Sequence, residues 1–220
     1  MNIRNLYIAL AALLSACGSE TAENKAITST SSTAPTDTTT LETTPAKDTT
    51  DSLYMIVPGE SIGQVEIGST AEQVSNILSK ADSGDAAMGK AVSFWLSNSP
   101  DTPKHMVAVY SSRSMGTGNI NLRTRQVLVT SPRFTTPDGI STGSTMGEIR
   151  QQYNHLKPVG YYPDKQQKRV YIYDDAAQGI TFEITETDST CAAIAVHEKG
   201  ESMANGYLPI HLNVTWLNQQ

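Results

Sequence analysis

The stretch "DGISTGSTMGEI" (residues 138–149) crowds glycines, hydroxyls and an acid into what reads as the start of a helix. "VEIGSTAEQV" (residues 65–74) repeats nearly the same phrase. Aligned on Gly68 and Gly143, Thr70 falls on Thr145, Gln73 on Glu148, Val74 on Ile149 and Val65 on Ile140. Thr70-x-x-Gln73 and Thr145-x-x-Glu148 are capping boxes: the hydroxyl accepts from an amide of the first turn, and the long polar side chain reaches back to the cap's own N–H. Val74, Ile77 and Leu78 then supply an apolar stripe, as do Ile149, Tyr153 and Leu156 before Pro158 stops the second helix. Glycine beside Ser-Thr can also cradle phosphate. Neither copy, however, carries the lysine of a Walker loop, and Gly139, Gly143 and Gly147 are not spaced as a dinucleotide fingerprint. Both phrases are read as helix starts.

Alternating apolar stretches follow each start. After the first come "AVSFWL" (91–96), "HMVAVY" (105–110) and "RQVLVTS" (125–131); after the second come "RVYIYDD" (169–175), "GITFEIT" (179–185) and "CAAIAVHE" (191–198). Period-two alternation of this length suits antiparallel strands with one buried face. The expected fold is therefore α+β: a tandem repeat over 52–136 and 137–220, each a capped helix followed by an antiparallel meander, with the helices on one face of the sheet. A helix opening on Gly-x-Thr ahead of a meander resembles the small lipoprotein subunit of the outer-membrane β-barrel assembly machinery, and two such units in tandem resemble the β-lactamase inhibitory proteins. The pattern from Phe134 to Ile149, with Thr136, Asp138 and Gly139 in place, is also similar to bacterial lipoproteins of that architecture. The inhibitory proteins are braced by disulfides, which this chain cannot form, and none of their inhibitory residues maps onto it.

The amino terminus indicates export. Arg4 precedes an apolar run, Leu6 to Leu14, too short for the ~20 residues that span a bilayer, and small residues follow. "LSAC" (14–17) resembles a bacterial lipobox. That resemblance implies removal of signal peptide 1–16 and lipid on the thiol and the new amino group of Cys17, as in palmitate-bearing lipoproteins. The membrane partner is then reached through the anchor, and the folded part lies in the cell envelope, at the outer membrane, in the periplasm or at the surface. Residues 17–51 are Thr/Ser-rich with no aromatic side chain, a composition unable to bury enough apolar surface to order itself, and read as a flexible tether. "DTT" at Asp37 and Asp48 and "DSL" at Asp51 resemble O-glycosylation sites of Bacteroidetes exported proteins. A net charge of −6 without any basic stripe argues against nucleic acid as a partner.

Catalytic and metal chemistry find little support. The chain has two cysteines, and lipidation of Cys17 leaves Cys191 alone in an apolar run, a core position. His105, His155, His197 and His211 show no metal-ligand spacing, and Ser114 and Ser141 lack a nucleophile elbow. Arg113, Arg123 and Arg125 flank the glycine-rich stretch 115–119, as solvated arginines on a hairpin loop or as an anion-binding corner. No cofactor and no metal site is expected.

Strand alternation assigns Val92, Phe94, Leu96, Val107, Val109, Val170, Ile172, Ile180, Phe182, Ile184, Ile194 and Val196 to the helix side. The opposite face then carries Trp95, Met106, Tyr110, Tyr171, Tyr173, Glu183 and His197. Aromatics at solvent positions suit a protein-binding surface, so Trp95, Met106, Tyr110, Tyr171, Tyr173 and His197 are the candidate contacts for an unidentified envelope protein. Alternatively "LPIHLNVTW" (208–216), which also alternates, is a further strand covering that face. The functional expectation is a non-enzymatic binding module. Its rival is an enzyme or small-ligand carrier with a site in the cleft between the repeats. For the anchor the expected outcome is direct: wild-type protein partitions into detergent and Cys17→Ser remains aqueous, because only the thiol takes the diacylglycerol. Equal partitioning of the two contradicts the lipobox.

Overall fold

The computed structural model of the chain describes residues 52–98, 104–113, 121–204, 211 and 213–217. The signal segment, Cys17, the tether, Ser114, the glycine-rich stretch 115–119 and Leu208, Ile210 and Leu212 lie outside the described residues. The architecture corrects the expected α+β repeat. The described residues are mostly β, 46% strand and 11% helix, with a three-stranded and a nine-stranded antiparallel sheet. Among the described residues the two helices, α1 (Ala71–Leu78) and α2 (Met146–Gln152), are only two turns long.

The small sheet pairs β1 (Ile56–Val57), β2 (Ser61–Ile62) and β3 (Val65–Glu66) in that order. The large sheet is built from β4 (Ser83–Ala87), β5 (Lys90–Leu96), β6 (Met106–Ser112), β7 (Arg123–Val129), β8 (Lys157–Pro163), β9 (Arg169–Asp175), β10 (Ile180–Thr185), β11 (Cys191–His197) and β12 (Thr215–Trp216). Its spatial order is β12-β8-β9-β10-β11-β7-β6-β5-β4. Strands β4 to β7 run as consecutive neighbours, and so do β8 to β11. The two runs fuse where β11 pairs with β7, Ile194 against Val129 and Val196 against Val127. The long strands expected of both repeats therefore lie in one continuous sheet.

The centre of this sheet is buried on both faces. Under the helices and the small sheet, Ile56, Ile62, Val65, Val74 and Ile149 pack on Val109, Val127, Val129, Phe182, Ile194 and Val196. On the other face Val92, Ala108, Tyr110, Leu128, Ile172, Ala193 and Ala195 pack with Met203 from the carboxy-terminal segment. This double burial explains the second correction. When both sides of a strand are covered, apolar alternation no longer says which side is which; the partner strand decides. Trp95 stands opposite Val107, and Tyr173 opposite Phe182. Trp95 and Tyr173 therefore lie on the helix side, while Val92, Phe94 and Ile172 lie on the other, the reverse of the expected assignment for β5 and β9.

Both capping boxes are present. The Gln73 amide donates to Thr70 Oγ1 at 3.2 Å and the Thr70 amide to Gln73 Oε1 at 2.8 Å. The Glu148 amide donates to Thr145 Oγ1 at 3.3 Å and the Thr145 amide to Glu148 Oε2 at 2.7 Å. These bonds to Thr145 hold the Glu148 carboxyl below its usual range, the backbone bond most of all. Gly68 and Gly143 precede the boxes at φ +87° and +92°, and an added Cβ there would meet nothing. The left-handed backbone, not crowding, is what calls for glycine. Among the described residues no helix is long and apolar enough to cross a membrane. Thr70→Ala and Thr145→Ala are each expected to lower unfolding stability by about 0.5–2 kcal/mol, the cost of a lost cap, read as a reduced urea midpoint at unchanged slope. An unchanged midpoint contradicts the assigned role.

Candidate functional site

The six residues expected to share a binding surface occupy two faces. Trp95 is half-buried on the helix side, where its indole Nε1 donates to the Ser79 carbonyl at 3.3 Å after α1 ends. Met106 and Tyr110 lie on the opposite face, with Tyr110 only 5% exposed. His197 is likewise 5% exposed and is held by Asp174. Tyr171 and Tyr173 alone remain together at half-exposure, on the helix-bearing face.

There they belong to a row. Helix α2 packs over the middle of the sheet through Ile149, and next to it β8 and β9 present Tyr161, Tyr171 and Tyr173, all half-exposed. The Tyr161 and Tyr171 ring centroids are 5.9 Å apart, and those of Tyr171 and Tyr173 are 6.4 Å apart. Cross-strand register sets Tyr161 directly opposite Tyr171. Arg169 lies 5.0 Å over the Tyr161 ring and donates to the Tyr171 hydroxyl at 3.4 Å; Arg150 of α2 lies 5.8 Å over Tyr173. The Tyr171 hydroxyl bond is the first of the causes that raise the Arg169 guanidinium above its ordinary range. Two guanidiniums on ring faces restrict the rotamers of the row and leave N–H groups at its rim. Tyr161 escaped the sequence reading because "KPVGYYP" (157–163) carries two prolines and a glycine. Its signal was the adjacent pair Tyr161-Tyr162, which alternation sends to opposite faces.

On the other face, two carboxylates sit within the sheet. Asp174 is 3% exposed and accepts from His197 Nε2 at 2.9 Å, Thr181 Oγ1 at 3.2 Å, Ser202 Oγ at 3.1 Å and the Met203 amide at 2.9 Å. Glu183 is 2% exposed and accepts from the Tyr162 hydroxyl at 2.7 Å and from His211 Nε2 at 3.0 Å, the His211 ring stacking on Tyr162 at 3.6 Å. Burial first, then the Glu183 charge, drives the Tyr162 hydroxyl far above its ordinary range, so it stays protonated and donates. This set resembles a catalytic triad only in composition. His197 bonds Asp174 through one ring nitrogen and the Glu198 carbonyl, at 3.1 Å, through the other. Ser202 is bonded to the carboxylate rather than to the imidazole, so no nucleophile faces the histidine. Cys191 points into the helix-side core, and burial pushes its thiol up, the opposite of activation.

Two clefts open nearby. One of about 290 Å³ is bordered by His155, Lys157, Asp174, Asp175 and Ser202. Another of about 550 Å³ lies between the small sheet and β7, where Arg125 pairs with Glu198 at 3.1 Å and Arg123 donates to the Gly68 carbonyl at 3.3 Å. Among the described residues no group of three His, Cys, Asp or Glu is placed to hold a metal ion. Compared with protein families, characterised proteins and solved structures, the chain matches none.

Proposed function

We propose that this chain is a lipid-anchored cell-envelope protein whose folded part binds another protein, without catalysis, through the row Tyr161–Tyr171–Tyr173. The row itself is the observation that supports this reading. Tyrosine offers large contact area with few rotors and a polar tip, which is why it recurs at interface hot spots. Arginines stacked on two of the rings reduce the ordering that binding would otherwise require. The tether suits the role: residues 18–51 fully extended reach roughly 110 Å at ~3.3 Å each, so an anchored domain can sample partners well away from the bilayer. The rival ligand-carrier reading has less behind it, because Asp174 at the smaller cleft already accepts four hydrogen bonds from the protein itself.

A photo-crosslinking side chain at position 161, with Tyr171→Ala and Phe182→Ala introduced separately, tests the reading in intact envelopes. Tyr171→Ala is expected to keep the fold within about 1 kcal/mol while recovery of the crosslinked partner falls, consistent with a hot-spot loss of ~2 kcal/mol or about thirtyfold in affinity. Phe182→Ala is expected to cost ~3–5 kcal/mol of stability. If Tyr171→Ala unfolds the domain as badly as Phe182→Ala, or leaves recovery intact, the row is not a binding surface.

A further inference from the structure

Of the carboxy-terminal residues, His211 and 213–217 are attached to the face opposite the helices in an unusual way. Backbone pairing is brief: Thr215 opposes Tyr161, Trp216 opposes Gly160, and the Leu217 amide donates to the Val159 carbonyl at 2.9 Å. Upstream, His211 reaches the buried Glu183. At the pairing, the neighbouring strand β8 has a notch. Gly160 follows the register shift after Pro158, and a Cβ there would come within 3.1 Å of the Thr215 carbonyl oxygen, 3.1 Å of Trp216 Cε3 and 3.3 Å of Val214 Cγ1. All three neighbours belong to the segment, so the missing side chain permits its close approach. Val214 and Trp216 then fill the apolar face with Val159 and Ile172.

A purely structural cover would be held more simply by apolar packing, since burying a charged group of the sheet to hold it adds a desolvation cost. A carboxylate for an imidazole, a notch for an indole and an open strand edge for backbone pairing are the parts of a peptide-binding groove of the strand-addition kind. We propose that His211 and residues 213–217 form a releasable strap, and that the groove it fills along β8 takes the same segment from a second copy of this chain. Exchange of an identical element between protomers adds no new contact chemistry and is a low-cost route to association. This surface lies on the other side of the sheet from the tyrosine row and stands independently of it.

The test uses the full-length chain with its own strap disarmed by His211→Ala and Trp216→Ala, and a fluorescein-labelled peptide of residues 208–220 as surrogate for a second copy. Anisotropy is expected to show saturable binding, weakened about tenfold or more, a hot-spot-sized loss, when Gly160→Val is added to the receiver. Amide protection across β10 and β11 is expected to persist throughout. Absence of binding to a receiver with that protection intact overturns the proposal, as does binding indifferent to Gly160→Val. Loss of β10 and β11 protection in the disarmed receiver overturns it too, because the segment is then an inseparable part of the fold.

Discussion

The pairing of β11 with β7 is the constraint on which the rest of the structure depends. Val127, Val129, Ile194 and Val196, all fully buried, face the helices from this seam, while Leu128 and Ala195 face the other way into the second core. A slip of one residue would exchange every side chain between the two faces, placing Gln126 and His197 in the helix-side core. The same pairing turns Gln126 to the second core, where its Nε2 lies 2.8 Å from Met203 Sδ, while the β9–β10–β11 register brings His197 to Asp174.

A sheet buried on both sides must be covered on both sides, and short elements do so unevenly. The two-turn helices and the small sheet cover the centre of one face, leaving Tyr161, Tyr171 and Tyr173 half-exposed at its β8–β9 end. On the opposite face Ser202, Met203 and His211 hydrogen-bond to Asp174 and Glu183, and Val214 and Trp216 pack on the second core. Buried carboxylates survive there because each is supplied with donors: four for Asp174, and the Tyr162 hydroxyl and His211 for Glu183. The surface available for recognition is thus a remainder set by which elements are too short to reach.

Much of this could be read from the chain, and the failures have physical causes. Both helix starts were legible because a capping box is local, needing only Thr70 with Gln73 and Thr145 with Glu148. Six of the long strands were legible from their alternation. Strand β4 was not, since Ser83–Ala87 is exposed along its whole length and carries no apolar period. Strand β8 was masked by Pro158 at a register shift and Pro163 at its end, positions where proline is tolerated in a sheet. The faces of β5 and β9 were misassigned because Phe94 and Trp95, or Ile172 and Tyr173, are apolar neighbours that each pack against a different core, one on either side of the sheet. Asp174 and Glu183 carried no local sign of burial; their partners Ser202, Met203 and His211 are remote in sequence.

The central claim is that the two runs of strands form one sheet, fused at β7 and β11. Native-state amide hydrogen exchange tests it most directly, by comparing Val127–Val129 and Ile194–Val196 with strands β5 and β9 as denaturant is added. A single fused sheet predicts that the amides bonded across the β7–β11 seam are the slowest, and that both halves join them in one global opening. Independent opening of the β4–β7 half, with β8–β11 still protected and the seam exchanging early, would contradict it.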